Sequence, residues 1–173
     1  DEAKAIGAKN THFNNPHGLP DENHYTTAYD MALMARKAME NDIFKSIVKT
    51  ESISFPATEA YPYERYFKNT NDLLNTSSKY YYEYATGIKT GYTSQAKRCL
   101  IASSSKNNIE LITVVLGSQP STPDTRYLDT INLFEYGFSN YRFEQIATKN
   151  TVIEEILIGN ATKDTQNLSL LLK

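Results

Sequence analysis

The segment Ala85-Thr-Gly-Ile-Lys-Thr-Gly-Tyr-Thr-Ser-Gln95 is the stretch from which the fold can be worked out. Its β-branched and aromatic residues favour a strand, and its glycines leave parts of that strand without side chains. Because side chains alternate along a strand, four residues are predicted to share one face: Gly87, Lys89, Gly91 and Thr93. That face sets two bare backbone positions beside one ammonium group, where a ligand could lie and present an anion to Lys89.

The residues after this segment are predicted to extend it into an antiparallel sheet. Arg98–Ser103 is apolar enough to pair as the next strand, Asn107-Asn108 is a turn signal, and Ile109–Leu116 has the composition of a third strand. Cys99, within the second strand, is predicted to be a small core residue. As the single cysteine of the chain, it cannot form an internal disulfide.

The composition narrows the class of protein. A chain of 173 residues with 40% hydrophobic content suffices for one domain, or for one domain plus a fragment. The net charge of −2 and the absence of a basic run argue against nucleic acid as a partner. No apolar run of 18 residues predicts a membrane span. Asp1–Ala8 has the pattern of a helix stopped at Gly7, which suggests a fragment of a longer protein.

Two helices are predicted upstream of the Lys89 strand. Thr26–Asn41 begins with a capping-box-like pair, Thr27 and Asp30. It carries an apolar stripe at helical spacing that consists of Ala28, Met31, Ala32, Ala35, Ala38 and Met39. Ile43–Lys49 is predicted as a short helix, followed by strands at Glu51–Phe55 and Arg65–Lys68 with a loop at Ala60–Tyr63 between them.

Two loops contain residue types that suggest function. Asn14–Asn23 lies among His12, His17 and His24, which could form a metal site or could bond the loop's own backbone. The histidines lack helical metal-ligand spacing, so the second interpretation is preferred. Ser77–Tyr84 holds four tyrosines, and these either cover a solvated loop or form the rim of a cleft.

The C-terminal third is predicted to contain one helix and then short strands. Thr122 is predicted to cap this helix, with Pro123 in its first position. Its apolar face consists of Tyr127, Ile131, Phe134 and Phe138, and Gly137 lies near its end. The predicted strands are Phe143–Ala147, Val152–Ile158 and Leu168–Leu172.

Lys89-Thr90-Gly91 is one of the signature motifs of penicillin-binding proteins and serine β-lactamases. With the blocks Asn10–Leu19 and His24–Asp30, the motif resembles the low-molecular-weight D-alanyl-D-alanine carboxypeptidases from about Ala3 to about Phe143. The resemblance implies an α+β fold with an incomplete antiparallel sheet and packed helices of the penicillin-binding type. Residues 1–141 would be the C-terminal part of the catalytic domain, and residues 142–173 the start of a β-rich domain.

The family's reaction is acyl transfer to a serine followed by hydrolysis, which needs an activated hydroxyl, a base, an oxyanion hole and a carboxylate anchor. The family's Ser-x-x-Lys and Ser-x-Asn motifs precede the matching segment, so the nucleophile is expected outside this chain. Three pairs here have the Ser-x-x-Lys spacing: Ser46–Lys49, Ser94–Lys97 and Ser103–Lys106. All three are interpreted as coincidences, because of their positions in the motif order. No metal or cofactor is implied.

The resemblance also suggests roles for residues around the motif. Lys89 would supply positive potential and help proton traffic, and the Thr90 hydroxyl would bond the substrate carboxylate. The backbone N–H of Tyr92 would be half of the oxyanion hole. Gly91 and Thr93 would line the substrate, and Arg126 would be a second carboxylate-side cation. In the block Asn69–Leu74, some relatives have an arginine where this chain has Thr70, so no cation is expected there.

The implied partners are peptidoglycan stem peptides ending in D-Ala-D-Ala and β-lactams. The missing N-terminal segment of the same protein, or a second copy, is expected to cover apolar surface left without its core helix. The implied location is the cell-wall side of the membrane. A non-catalytic module that binds peptidoglycan peptide or a partner chain is the first alternative function, and a serine β-lactamase is the second.

Overall fold

A computed structural model describes residues 2–148, 150–157, 159 and 167–171. The chain divides into two compact units, Asp1–Tyr141 and Arg142–Lys173. The elements of the first unit are α1 (Glu2–Ala5), α2 (Ala28–Ala38), α3 (Asp42–Lys49), β1 (Ser52–Phe55), β2 (Arg65–Lys68), β3 (Ala85–Thr93), β4 (Lys97–Lys106), β5 (Ile109–Ser118) and α4 (Thr125–Asn140). The second unit contains β6 (Val152–Leu157) and β7 (Asn167–Leu171). None of the helices in the described ranges is long and apolar enough to cross a bilayer.

The main sheet is antiparallel with the order β3-β4-β5. Gly91 pairs with Cys99 and Lys89 with Ile101 across β3 and β4. Asn107 and Asn108 both have positive φ at the turn between β4 and β5, which suits asparagine and gives a tight two-residue hairpin. The three predicted strands and the α+β class are therefore confirmed.

One side of the sheet is closed by α4. Leu100 and Ala102 of β4 are fully buried there, against Tyr127 and Phe134 of the helix. Gly137 allows the close approach, because a Cβ at this position would lie 2.5 Å from Leu111 Cδ1. The predicted apolar face of this helix is confirmed.

The tyrosine segment before β3 contributes Tyr80 and Tyr82 to this core, which corrects both interpretations for these two residues, whereas Tyr81 is 45% exposed. Tyr80 and Tyr82 are buried at 8% and 9% exposure, so they form neither a solvated cover nor a cleft rim. Each satisfies its hydroxyl group within the core boundary. The Tyr80 oxygen accepts a hydrogen bond from the backbone N–H of Asp124, and the Tyr82 hydroxyl donates to the Glu135 carboxylate, both at 2.6 Å.

The other side of the sheet, on which α2 and α3 lie, is more open. Gly87 contacts α3 closely, since a Cβ there would lie 2.7 Å from Val48 Cγ2. Between α2 and the sheet lies a cavity of about 520 Å³, lined in part by Leu33, Met39 and Ile112. Within the predicted stripe of α2, Ala35 alone is buried, at 6% exposure.

Helix ends explain how the chain enters and leaves these elements. Thr27 caps α2 as predicted, its hydroxyl accepting from the Asp30 backbone N–H at 3.1 Å. The Asp30 carboxylate does not complete the box but accepts from the Asn10 backbone and from Thr11. The cap of α4 is Asp124 and not Thr122, because the Asp124 carboxylate accepts from the Arg126 backbone N–H at 3.2 Å.

The remaining elements show where sequence patterns were incomplete. Both strands predicted before the Lys89 strand are present as β1 and β2, and they pair antiparallel. Cys99 is half-buried and not in the core, since the residue opposite it, Gly91, has no side chain to cover it. In the second unit β6 and β7 pair antiparallel, but Phe143–Ala147 forms no strand. The strand ends predicted at Ile158 and Leu172, and the helix start predicted at Asp1, lie outside the described residues.

Candidate active-site wall

A group of three polar side chains lies at the edge strand β3. The Thr90 hydroxyl oxygen is 2.6 Å from the Thr70 hydroxyl oxygen. The Lys89 ammonium donates to the Thr90 carbonyl at 2.8 Å and to the Thr70 hydroxyl at 3.4 Å. Although alternation sends Lys89 and Thr90 to opposite faces, both side chains therefore reach the same hydroxyl of Thr70. None of the ion pairs found in the described part of the chain involves Lys89.

Thr70 is positioned by bonds to its backbone and to its neighbours. The Tyr127 hydroxyl donates to the Thr70 carbonyl at 3.2 Å. The Asn69 amide donates to two carbonyls at the end of α3, and the fully buried Asn71 amide donates to the Gly87 carbonyl at 3.1 Å. These bonds tie the segment before Leu73 to α3, α4 and the start of β3.

Arg126 lies in the first turn of α4 and is already paired. Its guanidinium bonds the Asp124 carboxylate at 3.0 Å and the Tyr127 hydroxyl at 3.4 Å, and its side chain is 12% exposed. The same oxygen of Asp124 also bonds Arg98 at 2.7 Å. Two guanidinium groups on one carboxylate leave a net positive charge in a partly buried place, where charge is screened less than in open solvent. The Nε of Arg126 is buried without a partner.

A chain of hydrogen bonds connects this arginine cluster to the Lys89 group. Arg126 bonds the Tyr127 hydroxyl, which bonds the Thr70 carbonyl, and the Thr70 side chain contacts Thr90. Burial raises the pKa of Tyr127, so this hydroxyl stays protonated and can donate at neutral pH.

The other predicted site residues lie along β3. Gly91 and Tyr92 are exposed. The Thr93 hydroxyl accepts from the Ala96 backbone N–H at 2.9 Å, so it closes the β3–β4 turn. Since β3 is the edge of the described sheet, alternate backbone N–H groups point away from β4, as an oxyanion hole requires.

Two cavities in the first unit are lined by residues outside the predicted site. The 520 Å³ cavity lies beside Thr86 and Ser103, and a second cavity of about 900 Å³ lies between α1 and α2. None of the six predicted site residues lines either one. The predicted strand that contains Lys89 is confirmed. An open cleft beside it stays a prediction.

Comparison with known proteins decides the family. A sequence model described as D-alanyl-D-alanine carboxypeptidase matches residues 1–120. The chain belongs to the D-alanyl-D-alanine carboxypeptidase family. The resemblance inferred from the Lys-Thr-Gly motif is confirmed.

Named relatives and solved structures agree with this family. D-alanyl-D-alanine carboxypeptidase DacF of Bacillus subtilis is 38% identical over 163 residues, which are 91% of this chain and 38% of that protein. D-alanyl-D-alanine carboxypeptidase DacA of Escherichia coli is 34% identical over 78% of this chain and 30% of its own length. The crystal structure of the Streptomyces K15 DD-transpeptidase has a TM-score of 0.71 at 33% identity, over 80% of this chain and 51% of that one. The chain thus spans less than half the length of these two curated relatives.

In none of the three Ser-x-x-Lys pairs, all within the described residues, does the structure show a hydrogen bond between the lysine amine and the serine hydroxyl. The Ser46 hydroxyl donates to the Ile43 carbonyl within α3. The Ser103 hydroxyl is buried and accepts from Thr86, while Lys106 stacks over the Tyr84 ring on the opposite face of the sheet. In the third pair, Ser94 lies in the β3–β4 turn and Lys97 begins β4.

The histidine loop bonds its own backbone, as preferred from the sequence. His12 contacts the Asn23 carbonyl through Nδ1 at 2.6 Å, and His24 Nδ1 accepts from the Asn14 backbone at 3.2 Å. Within the ranges that the structure describes, no group of three metal-ligating side chains is arranged around a common point.

Sequence reasoning missed Asp124, Arg98 and the part played by Thr70. A signal existed for Asp124, because aspartate is one of the preferred residues at the N-cap of a helix. No local signal shows that Arg98 would share this carboxylate, since 26 residues separate them. Thr70 was noted only as a missing cation.

Proposed function

We propose that this chain forms the substrate-binding wall of a serine-type D-Ala-D-Ala carboxypeptidase that acts on peptidoglycan stem peptides. The observation that carries the proposal is the meeting of Lys89, Thr90 and Thr70 on the exposed edge of a Gly-x-Lys-Thr-Gly strand. Such an edge offers backbone hydrogen bonds to an extended peptide, and the ammonium offers a partner for its terminal carboxylate.

Each residue has a role in this proposal. Lys89 supplies positive potential, and the Thr90 hydroxyl bonds the substrate's terminal carboxylate. Gly91 leaves room for the ligand to lie against the backbone, and the Tyr92 N–H is one donor of the oxyanion hole. Thr93 shapes the turn that follows β3.

Arg126 would act through the net positive charge of the cluster that it forms with Arg98 and Asp124. Asp124 is shared with Arg98, so a substrate carboxylate could take over bonds from Arg126 without leaving Asp124 unpaired. A planar guanidinium grips a carboxylate with two parallel bonds, which favours a ligand with a free C-terminus.

The nucleophile and its base are proposed to come from residues outside these 173. The second unit, Arg142–Lys173, is proposed to be the start of a β-rich domain, and the protein would work on the cell-wall side of the membrane. β-Lactams should bind the same wall, since their ring carbonyl and carboxylate imitate the D-Ala-D-Ala end. A second copy or another segment of the protein would cover the exposed Ile43 and Ile47 of α3.

A non-catalytic module that binds stem peptides is the second candidate. It is favoured by the three serine–lysine pairs of the described chain, since no hydrogen bond joins the lysine amine to the serine hydroxyl in any of them. The two candidates share a binding wall and differ in whether a serine is acylated.

Acylation by penicillin separates these candidates. We expect the isolated 173-residue chain to remain unmodified in intact-mass spectrometry, because a serine without an adjacent base is a weak nucleophile. The natural protein of full length should gain one penicillin per chain, and Lys89→Ala should remove most of that gain. Lys49→Ala is the matched control, an exposed lysine on α3, and should leave acylation unchanged.

Two results would contradict the proposal. A full-length protein that binds D-Ala-D-Ala peptides but is never acylated would favour the binding module. An adduct on Ser46, Ser94 or Ser103 of the isolated chain would show that one of these serines is an activated nucleophile.

A further inference from the structure

Thr70 lies outside the Lys-Thr-Gly strand and still contacts both of its polar side chains. Its hydroxyl oxygen is 2.6 Å from that of Thr90 and 3.4 Å from the Lys89 ammonium nitrogen, across 20 and 19 residues of sequence. The second contact is long, but its direction is certain, because an ammonium group can only donate.

One arrangement of donors that fits these contacts runs in a single direction, from Lys89 through Thr70 to Thr90. Lys89 donates to the Thr70 oxygen, and a threonine hydroxyl has a single proton to donate. If Thr70 donates that proton to the Thr90 oxygen, Thr90 does not donate to Thr70. The Thr90 proton is then free to point away from the protein, toward a ligand on the edge of β3. Bonds that follow one another in this direction polarise each other, which strengthens the last donor.

We propose that Thr70 is a positioning residue that makes Thr90 a hydrogen-bond donor, and so selects ligands ending in a free carboxylate. The inference rests on the proposed function and deepens it, since it explains how the site distinguishes a carboxylate from a neutral end group. The order of donation is Lys89 to Thr70 to Thr90 to the ligand.

A purely structural role for the Thr70 hydroxyl fits the surroundings less well. The backbone of Thr70 is already held by the Tyr127 hydroxyl, and its neighbours Asn69 and Asn71 anchor the segment on both sides. Thr70 itself is exposed, where one more hydrogen bond between side chains adds little to stability. Its hydroxyl can therefore be removed without unfolding the site.

The test uses the natural protein of full length and two ligands that differ in one group, acetyl-D-Ala-D-Ala and its C-terminal amide. Both are measured by how well they protect the protein from acylation by penicillin. Thr70→Val keeps the shape and removes the hydroxyl, whereas Thr70→Ser restores it. Thr76→Val is the matched control, an exposed threonine of the same segment.

Thr70→Val should weaken binding of the carboxylate ligand by about tenfold, the order expected for losing one hydrogen bond to a charged group. The amide ligand should bind as before, and Thr70→Ser should recover the carboxylate preference. In hydrolysis of a D-Ala-D-Ala peptide the same loss should raise KM more than it lowers kcat, because the contact exists before the chemical step.

Three outcomes would overturn the inference, and they are distinguishable. Equal weakening of both ligands in Thr70→Val would show a structural role. An active wild type whose carboxylate preference is unchanged in Thr70→Val would refute the relay while the proposed function stands. A full-length wild type that neither hydrolyses nor binds the D-Ala-D-Ala ligands would remove the proposed function, and the inference with it.

Discussion

The two sides of the β3-β4-β5 sheet differ in how completely they are packed. On the α4 side, Phe134, Leu100 and Ala102 have no exposed surface, and the aromatic rings of Tyr82 and Phe134 stack with centroids 5.6 Å apart. On the α2 and α3 side, a cavity of about 520 Å³ remains, and Ile43 and Ile47 of α3 are more than 60% exposed.

The difference shows that the tight packing of this sheet is concentrated on its α4 side. The α4 side buries most of the aromatic core and covers Leu100 and Ala102 of β4. The Lys89 group lies on the edge strand β3. At the start of the same strand, Gly87 packs closely against Val48 of α3. A substitution should therefore affect stability on the closed side far more than on the open side.

The largest effect is expected when a closed-side ring is removed. Phe134→Ala should lower the free energy of unfolding by about 3–5 kcal/mol, since it deletes a fully buried ring and leaves a cavity. Leu33→Ala, which only enlarges an existing cavity on the open side, should cost no more than about 1.5 kcal/mol. Urea denaturation of both variants measures the difference.

Similar losses for Phe134→Ala and Leu33→Ala would contradict the comparison. The m-value serves as the control for this experiment, because it scales with the surface exposed on unfolding. A variant that changes the m-value has altered the compactness of a state, and its free energy could not be compared directly.

The main sheet was predictable because its signals are local. The β-branched residues and glycines around Lys89, and the Asn107-Asn108 turn, determine strands and a hairpin within a few residues of themselves. The burial of Tyr80 and Tyr82 was not predictable in this way. Their hydroxyl groups are satisfied by Asp124 and Glu135, which are 44 and 53 residues away, so no local pattern distinguishes them from surface tyrosines.

A smaller effect is expected when side chains are enlarged on the two sides. Ala102→Leu adds volume to a site with no exposed surface and should destabilise the chain by about 1–3 kcal/mol. Ala32→Leu adds the same volume beside the open cavity and should change stability by less than about 1 kcal/mol in either direction. Thermal unfolding of both variants tests this pair.

An Ala32→Leu variant as unstable as Ala102→Leu would mean that the open cavity is smaller in solution than in the structure. The same experiment has a built-in reference, because both changes replace alanine by leucine within the first unit. Differences in the unfolded state therefore nearly cancel between them.

The candidate site was only partly predictable for the same physical reason. Lys89 and Thr90 follow from a motif of three adjacent residues, and Arg126 follows from the family resemblance. Their hydrogen-bond partners come from other segments: Thr70 approaches over a loop, and Asp124 holds both Arg126 and Arg98. A sequence motif identifies the residues of the candidate site. It does not identify the hydrogen bonds that decide which of their groups donate and which accept.

The smallest expected effect is a pH dependence confined to the closed side. Burial, followed by the hydrogen bond to Glu135, raises the pKa of Tyr82, so the folded chain keeps this hydroxyl protonated. In the unfolded chain tyrosine loses its proton near pH 10. The stabilisation by Tyr82 is therefore complete below about pH 10 and is lost as the pH rises above it, at no more than about 1.4 kcal/mol per pH unit.

Tyr82→Phe should be about 0.5–1.5 kcal/mol less stable at pH 7, where the hydrogen bond is lost, and should lose less stability between pH 9 and pH 11. Tyr29→Phe, at a 70% exposed tyrosine of α2, is the control and should retain the alkaline slope of the wild type. An identical slope in the wild type and in Tyr82→Phe would show that another group causes the alkaline loss.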